Sequence, residues 1–575
     1  MFYVELYHKD TTLEVLMMVD PNIVETYSCG KEGFIVALCE ALGVPEFINA
    51  ALSSDSGRPP EVSYGFLAMM MMVNMCHDHR MMYKLDDYYK YTDLEGLFHC
   101  PILLDQINDD RFGGFLDRFY EAGCRKIFSQ IAAKAVIVYG IQVKNINFDT
   151  TAKVMWGNYE TDDGTVGAIE INFRHSKDKR PDKNQIKYGI GCANGIVVDA
   201  VVLSGNKDDK TYNTDTLKEI DDMLVNLGVS KTDFYYIADS ALFSATNLNL
   251  ATEKNIKLIT RIPDNVVIAQ EAIHEIVNKL PELDRIIVKN TRGDAGYKII
   301  QNTCKYQGIE LQIAACYSET LKTTKERTIL KAVEKEGIII AKLSKSISTR
   351  NFACKEDAQI EIDKIISKDM KKIKYYDLSF DIKSEKLRKR GSPSKDSSDN
   401  ALTYKYFLEV QSLTNKVSIE KAVLEACCFV LCSNDLNISG EGILREYKTQ
   451  DCALKKFQQL KSPQFVNSIY LESPERIEAF SYLMLMCMLI LSVAEHVVRR
   501  GLSKDNEQVI GSGKIKMKKP TQRAIYEMFF DVHIRVICHP NKPWKRSYAS
   551  PLNDSLKKIL RYLKIPENTF IKGVS

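Results

Sequence analysis

Apolar residues keep three- and four-residue steps over Phe34 to Leu42, Tyr64 to Met75 and Phe115 to Tyr139. That period predicts helices with one buried face, so the first 143 residues read as mainly helical. Asn108 is placed to cap the last of these, with the helix beginning just after Phe112. From Asn145 the pattern tightens to alternation. A run through Ile146 and Phe148 ends at Asp149; strands follow over Ile186 to Cys192 and Ile196 to Leu203, joined by the hairpin signal Asn194-Gly195. Thr214 to Leu227 reads as an amphipathic helix. Phe234 to Ala238 is a second apolar run that ends in an acid, Asp239, followed by a helix over Asn247 to Lys254 and a strand over Ile256 to Ile262.

The order then dissolves. Residues 265 to about 410 show strand-like runs at Arg285 to Val288, Tyr297 to Gln301, Leu311 to Tyr317 and Gly337 to Leu343, which predict a β-rich insertion. A basic tract with Lys386, Arg388, Lys389 and Arg390 reads as a solvated linker that also suits a nucleic-acid backbone. Tyr404 to Leu413 and Glu425 to Cys432 read as strands rejoining the main sheet. Gly440 to Lys461 reads as one continuous helix with Ser439 as its N-cap. Phe480 to Val498 is a buried helix, too short in its most apolar part for a membrane span and followed by charges. Thr521 to Val532 and Leu552 to Leu563 are closing helices.

An acid at a strand end has two readings: a capping or turn aspartate, or a metal ligand held rigidly at a sheet edge. The second gains weight because two strands each deliver one, Asp149 and Asp239. Three antiparallel strands, a helix, a strand, a helix and a strand form the order of a ribonuclease-H-like fold, which sets acids from its first and fourth strands side by side. The fold class expected is α/β, a ribonuclease-H-like core split by a β-rich insertion and preceded by a helical N-terminal domain. The divisions read as 1–143, 144–264, 265–410, 411–500 and 501–575.

Charge and cysteines narrow the setting. A net charge of +3 on 575 residues means that any nucleic-acid binding must come from local basic surface. One such surface is the loop after the first acid, with Lys177, Lys179 and Arg180; a solvated loop is the plainer reading. Lysines 514, 516, 518 and 519 form another basic cluster. The 15 cysteines show no paired CxxC spacing and suggest a reducing, cytoplasmic compartment. Cys76-His77-Asp78-His79 reads as a helical turn near a core rather than a metal cluster. The N-terminus has no signal-peptide pattern. Trp544 suits stacking on a base, but surface packing is the commoner role.

Several blocks, in this order and spacing, carry a resemblance over nearly the whole length: FDTTAKVMWGNYE, SKDKRPDKNQIKYGI, VLSGNKDDKT, YIADSALFSATNL with LITRIP, ILREYKTQDCALKKFQQLKSP and YLESPERIEAF. The chain resembles insertion-sequence DDE transposases of the insertion-sequence-four group, in the larger branch with a helical N-terminal domain. The resemblance implies a metal-dependent phosphoryl transfer on DNA: two Asp and one Glu hold two Mg²⁺ (or Mn²⁺) ions, and water attacks the phosphodiester at the transposon end. It implies double-stranded transposon ends as partner, a homodimer on DNA, no membrane, and Asp149 and Asp239 as metal ligands. Tyr447 and Lys461 match the family's helix signature and would approach the DNA backbone; Gln450 stands where many members have Arg.

Leu454 departs from the pattern, at the position of the family's catalytic Glu. An apolar side chain cannot ligate a hard cation. Three readings follow: the protein binds terminal inverted repeats but its cleavage is impaired; another acid substitutes, Asp451 being about 60° round the helix from Leu454; or the register has slipped. A repurposed DNA-binding repressor without catalysis is a further alternative. The plain reading of Leu454 is a core leucine on the buried helix face.

Overall fold

The structure, a computed structural model, describes residues 23–53, 60–157, 159, 168–173, 182–290, 293–368, 373–386, 404–461, 469–539 and 542–573. The protein is mixed α/β. It divides into two compact units, Met1–Ile259 with Glu446–Ser575, and Thr260–Arg445.

The first unit is built on strands β1 (Asn145–Val154), β2 (Asn184–Ala193), β3 (Ile196–Ser204), β4 (Tyr235–Ala238) and β5 (Lys257–Ile262). Helix α1 (Asp209–Leu227) connects β3 to β4, and a second helix, Ala245–Glu253, connects β4 to β5. The strands lie in the order β3-β2-β1-β4-β5. β1 to β3 are antiparallel, while β4 joins β1, and β5 joins β4, in parallel. Antiparallel neighbours need only a hairpin, and the β2–β3 turn supplies it: Asn194 and Gly195 both take positive φ, 52° and 80°. Parallel neighbours need a crossover, and each of the two helices provides one. Gly189 lets α1 close on the sheet, because a Cβ there would lie 2.4 Å from the ring of buried Tyr212.

Helix α1 starts five residues earlier than its apolar period suggests. Asp208 caps it by accepting the Thr211 N–H at 2.9 Å, so polar residues make up its first turn. The expected helix from Phe115 to Tyr139 is two, Asp109–Glu121 and Cys124–Tyr139, because Gly123 at φ 83° breaks it. Asn108 caps the first of them as expected, accepting from Arg111 N–H at 3.0 Å.

The other side of the sheet carries helix α4 (Pro474–Lys504), which also gathers the N-terminal helices around it. α4 is long and apolar enough to cross a membrane, yet 89% of its most apolar window is buried inside the protein. Arg476 on α4 grips Asp117 through two hydrogen bonds of 2.7 Å. The C-terminal region also departs from the expectation of helices alone. The helix expected over Thr521 to Val532 covers only Gln522–Glu527, and a hairpin follows, His533–His539 with Lys542–Tyr548. The first of these strands pairs with Ile23–Ser28, satisfying an edge that would otherwise be open. Arg546 on the hairpin is buried against Asp93, bonding both carboxylate oxygens at 2.6 and 2.9 Å.

The second unit is mixed rather than β-rich. It holds strands Ile286–Asn290, Gly293–Tyr306, Ile309–Ser318 and Cys428–Ser433, and helices Val267–Lys279, Lys322–Ser348, Lys355–Lys368 and Lys416–Ala426. Gly337 to Leu343, expected as a strand, lies inside the 27-residue helix Lys322–Ser348. That helix buries Val333, Glu336, Ile340 and Ile347, a helical spacing that the short aliphatic run masks. Tyr404–Thr414 does not rejoin the main sheet. It pairs with Tyr376–Lys386 in a two-stranded ribbon over a small core of Ile347, Ala358, Ile362, Ile365 and Leu408. The strand expected from Glu425 starts only at Cys428, since the helix before it runs to Ala426.

Candidate functional site

The register of β1 against β4 builds the site. Phe148 lies beside Ala238, so Asp149 and Asp239 are the next residues out at the same end of two neighbouring parallel strands. Parallel neighbours are spaced about 4.8 Å apart, which makes these two carboxylates close neighbours. Stacking of Phe148 on Tyr236, with centroids 4.2 Å apart, fixes the strands beneath them. Asp149 accepts the Thr150 N–H at 2.7 Å. Asp239 accepts the Ala241 N–H at 3.0 Å and so caps the short turn Ser240–Leu242. Both aspartates are half-buried. Burial, with the charges of Asp199 and Asp239 adding to it, holds the Tyr236 phenol well above its usual range.

Alternation sends Phe148 and Thr150 to the α1 side of β1, and Asn145, Asn147 and Asp149 to the other. On the α1 side lies a polar group that pattern reading missed. Asp209 accepts from Thr150 Oγ1 at 2.6 Å and from Lys187 Nζ at 3.4 Å, and Lys187 also donates to the Lys207 carbonyl at 2.5 Å. The Asp208-x-x-Thr211 cap in the GNKDDKT block is the signal that would have moved the helix start and placed Asp209 there.

On the opposite side, Asn145 donates to the Glu446 carboxylate, and Asn147 accepts from Thr449 Oγ1 at 3.0 Å. These bonds seat the segment expected as one helix. It is two helices, α2 (Gly440–Lys448) and α3 (Asp451–Leu460). Between them Thr449 and Gln450 bond back only three residues, to Glu446 and Tyr447, at 3.0 and 3.1 Å. That tightened turn interrupts the helical repeat, so Tyr447 does not share a continuous face with Leu454 and Lys461. Gln450 occupies the N-cap position of α3, and Lys461 its C-cap.

α3 buries Ala453, Lys456, Phe457 and Leu460. Leu454 is 50% exposed, so it is not the core leucine expected. Cys452 meets the Cys192 thiol and the Gly195 N–H, which turns its flank of α3 toward the β2–β3 hairpin. Leu454 is about 200° further round. Its flank therefore faces away from the hairpin, and half of its surface is open to solvent. Asp451 lies on the exposed side and pairs with Lys455 at 2.8 Å, with side-chain exposures of 54% and 46%. Tyr447 and Lys461 are half-buried. Lys177, Lys179 and Arg180 lie outside the described residues. Beyond Asp149 on the same chain segment stands Trp156, 52% exposed, with Lys183 Nζ 4.8 Å from its ring centroid. Trp544 is partly exposed, with the Arg546 guanidinium 5.9 Å from its ring.

Comparison with known proteins gives one family match: residues 24–133 fit a domain of unknown function, DUF4277. No curated protein matches the chain. Among solved structures, the chain is similar to a piggyBac transposase synaptic complex with hairpin DNA, at 11% identity and a TM-score of 0.35, covering 86% of this chain and 79% of that one. It is also similar to a Mos1 transposase paired-end complex with the left transposon end, at 10% identity and a TM-score of 0.14, covering 36% of this chain and 61% of that one. Superpositions at that level do not establish a shared fold.

Proposed function

We propose that this chain is a DNA-binding protein of the insertion-sequence DDE transposase type, built on a ribonuclease-H-like core, that binds terminal inverted repeats as a homodimer in the cytoplasm and cuts them poorly or not at all. The observation that carries the reading is the register of β1 against β4, which brings Asp149 and Asp239 to one sheet end. The strand order β3-β2-β1-β4-β5 supports it as well, since it is the order in which such cores place a first and a fourth strand together.

The metal chemistry of such enzymes needs a third hard oxygen ligand. Among the described residues, no three His, Cys, Asp or Glu side chains are grouped to hold a metal ion. Leu454 stands where the family's pattern has its Glu, and Asp451 is engaged with Lys455. Among the described residues, the donors therefore do not make a complete site for Mg²⁺ or Mn²⁺. DNA contact is assigned to Tyr447, Lys461 and the basic loop with Lys177, Lys179 and Arg180.

The test uses duplexes taken from both sides of the gene. Fluorescence anisotropy against scrambled duplexes reads binding, and a denaturing gel with Mn²⁺ reads strand cleavage. Specific binding without cleavage supports the proposal. Cleavage that Asp149→Ala abolishes would favour an active enzyme with a substitute acid, and equal binding to every duplex would remove the end-binding reading.

A further inference from the structure

Helix α3 meets the sheet through a pair of sulfurs that the function above does not use. Asn147 pairs with Cys192 in the β1–β2 register, and Asn147 also bonds Thr449 at 3.0 Å. Cys452 is one helical turn beyond Thr449, so the chain path sets it over Cys192. The two thiols share a hydrogen bond. Cys192 is fully buried within β2, whereas Cys452 keeps partial access to solvent.

The surroundings distinguish the two sulfurs. Cys452 receives the hydrogen bond from Cys192, the N–H groups of Gly195 and Ala453, and the field of the buried Lys456 ammonium; together these outweigh its burial, which acts the other way, and the thiol is pushed below the ordinary range. Cys192, hydrogen-bonded to Cys452 and buried, is pushed up. The other partly accessible cysteines, Cys100, Cys304, Cys354 and Cys538, are all raised, with burial leading for Cys100, Cys304 and Cys538. A thiolate is the nucleophile in disulfide exchange, so Cys452 is the sulfur equipped to react first and Cys192 the one placed to follow.

We propose that Cys452 and Cys192 are an oxidative modification site, at which a small-molecule disulfide of the glutathione class closes a bond between helix α3 and strand β2. Cys452 thiolate attacks the reagent's S–S bond, forms a mixed disulfide and expels one thiolate. Cys192 then loses its proton and attacks the Cys452 sulfur, expelling the second. Two protein thiols are oxidised to one disulfide, and the reagent is reduced to two thiols. The bond tethers the helix that carries Leu454, so it limits how freely that helix moves against strand β2.

The full-length protein is titrated with oxidised glutathione in a redox buffer, quenched, alkylated and digested. The expected result is one intramolecular disulfide joining the Cys192 and Cys452 peptides, formed ahead of any other, and a Cys192→Ser variant that stops at glutathionylated Cys452. In short pulses of iodoacetamide on the untreated protein, Cys452 is expected to label at least about tenfold faster than Cys100, Cys304 or Cys538. Cys452→Ala, a small change on a half-exposed helix, serves as the folded control. Labelling of Cys452 no faster than the other three, or mixed disulfides spread over many cysteines with no 192–452 link, overturns the proposal. Neither readout depends on DNA binding.

Discussion

Asp239→Asn tests the acid pair without DNA. Two carboxylates about 5 Å apart repel by about 3 kcal/mol at an effective dielectric of about 20, and by under about 1 kcal/mol in bulk water. Half-burial places Asp149 and Asp239 between those limits, and physiological salt roughly halves the interaction at this distance. The net repulsion is therefore about 1 kcal/mol. Asparagine retains the Oδ1 that accepts the Ala241 N–H, so the cap survives while the charge goes. Alanine would lose the cap as well, at about 0.5–2 kcal/mol, and confound the cycle. Both tryptophans, Trp156 and Trp544, lie in the unit that contains the acids, so intrinsic fluorescence reports its urea unfolding. A double-mutant cycle with Asp149→Asn isolates the pair term. We expect a repulsive coupling of about 1 kcal/mol between the two substitutions. Coupling within about 0.3 kcal/mol of zero would refute the claim that the carboxylates are close neighbours.

Leu454→Glu is expected to leave urea stability within about 0.5 kcal/mol, since the side chain is half-exposed, and to create or raise Mn²⁺-dependent nicking of an end duplex; no gain means that the site is impaired elsewhere. Arg546→Leu should cost about 3–5 kcal/mol in the same unfolding assay, because it strands the buried Asp93 carboxylate. Burial, with the Glu475 charge adding to it, raises the Glu478 carboxyl from 4.5 to about 7. The folded state then holds more protons than the unfolded one between those values, so this group's contribution to stability falls as pH rises through that window. Glu478→Gln should flatten the fall, as read by urea midpoints from pH 4.5 to 7.5.

The central strands, two of them leading to aspartates, were legible because strand alternation and a terminal acid are local signals. Asn194-Gly195 and Asn108 took their expected conformations for the same reason: turn and cap chemistry is written in one or two residues. The seating of α3 was not legible. Its tightened turn depends on Asn145 and Asn147 bonding Glu446 and Thr449 about 300 residues away, which no window of sequence contains. The aliphatic run at Ile338 to Ile340 misled because three consecutive β-branched residues favour a strand locally, and only packing of Val333, Ile340 and Ile347 makes them helical. The hairpin near the C-terminus escaped because its partner is the chain's first described strand.

Binding to the gene's own flanking repeats tests the functional reading most directly. Labelled repeat duplex is competed off the wild-type protein, in Mg²⁺ and at two salt concentrations, with unlabelled repeat or scrambled DNA. The account predicts that the repeat competes at least about tenfold better than scrambled DNA, that affinity falls steeply with salt, and that the labelled strand stays intact. Equal competition by both duplexes, or a strand cut at the repeat end, would contradict it.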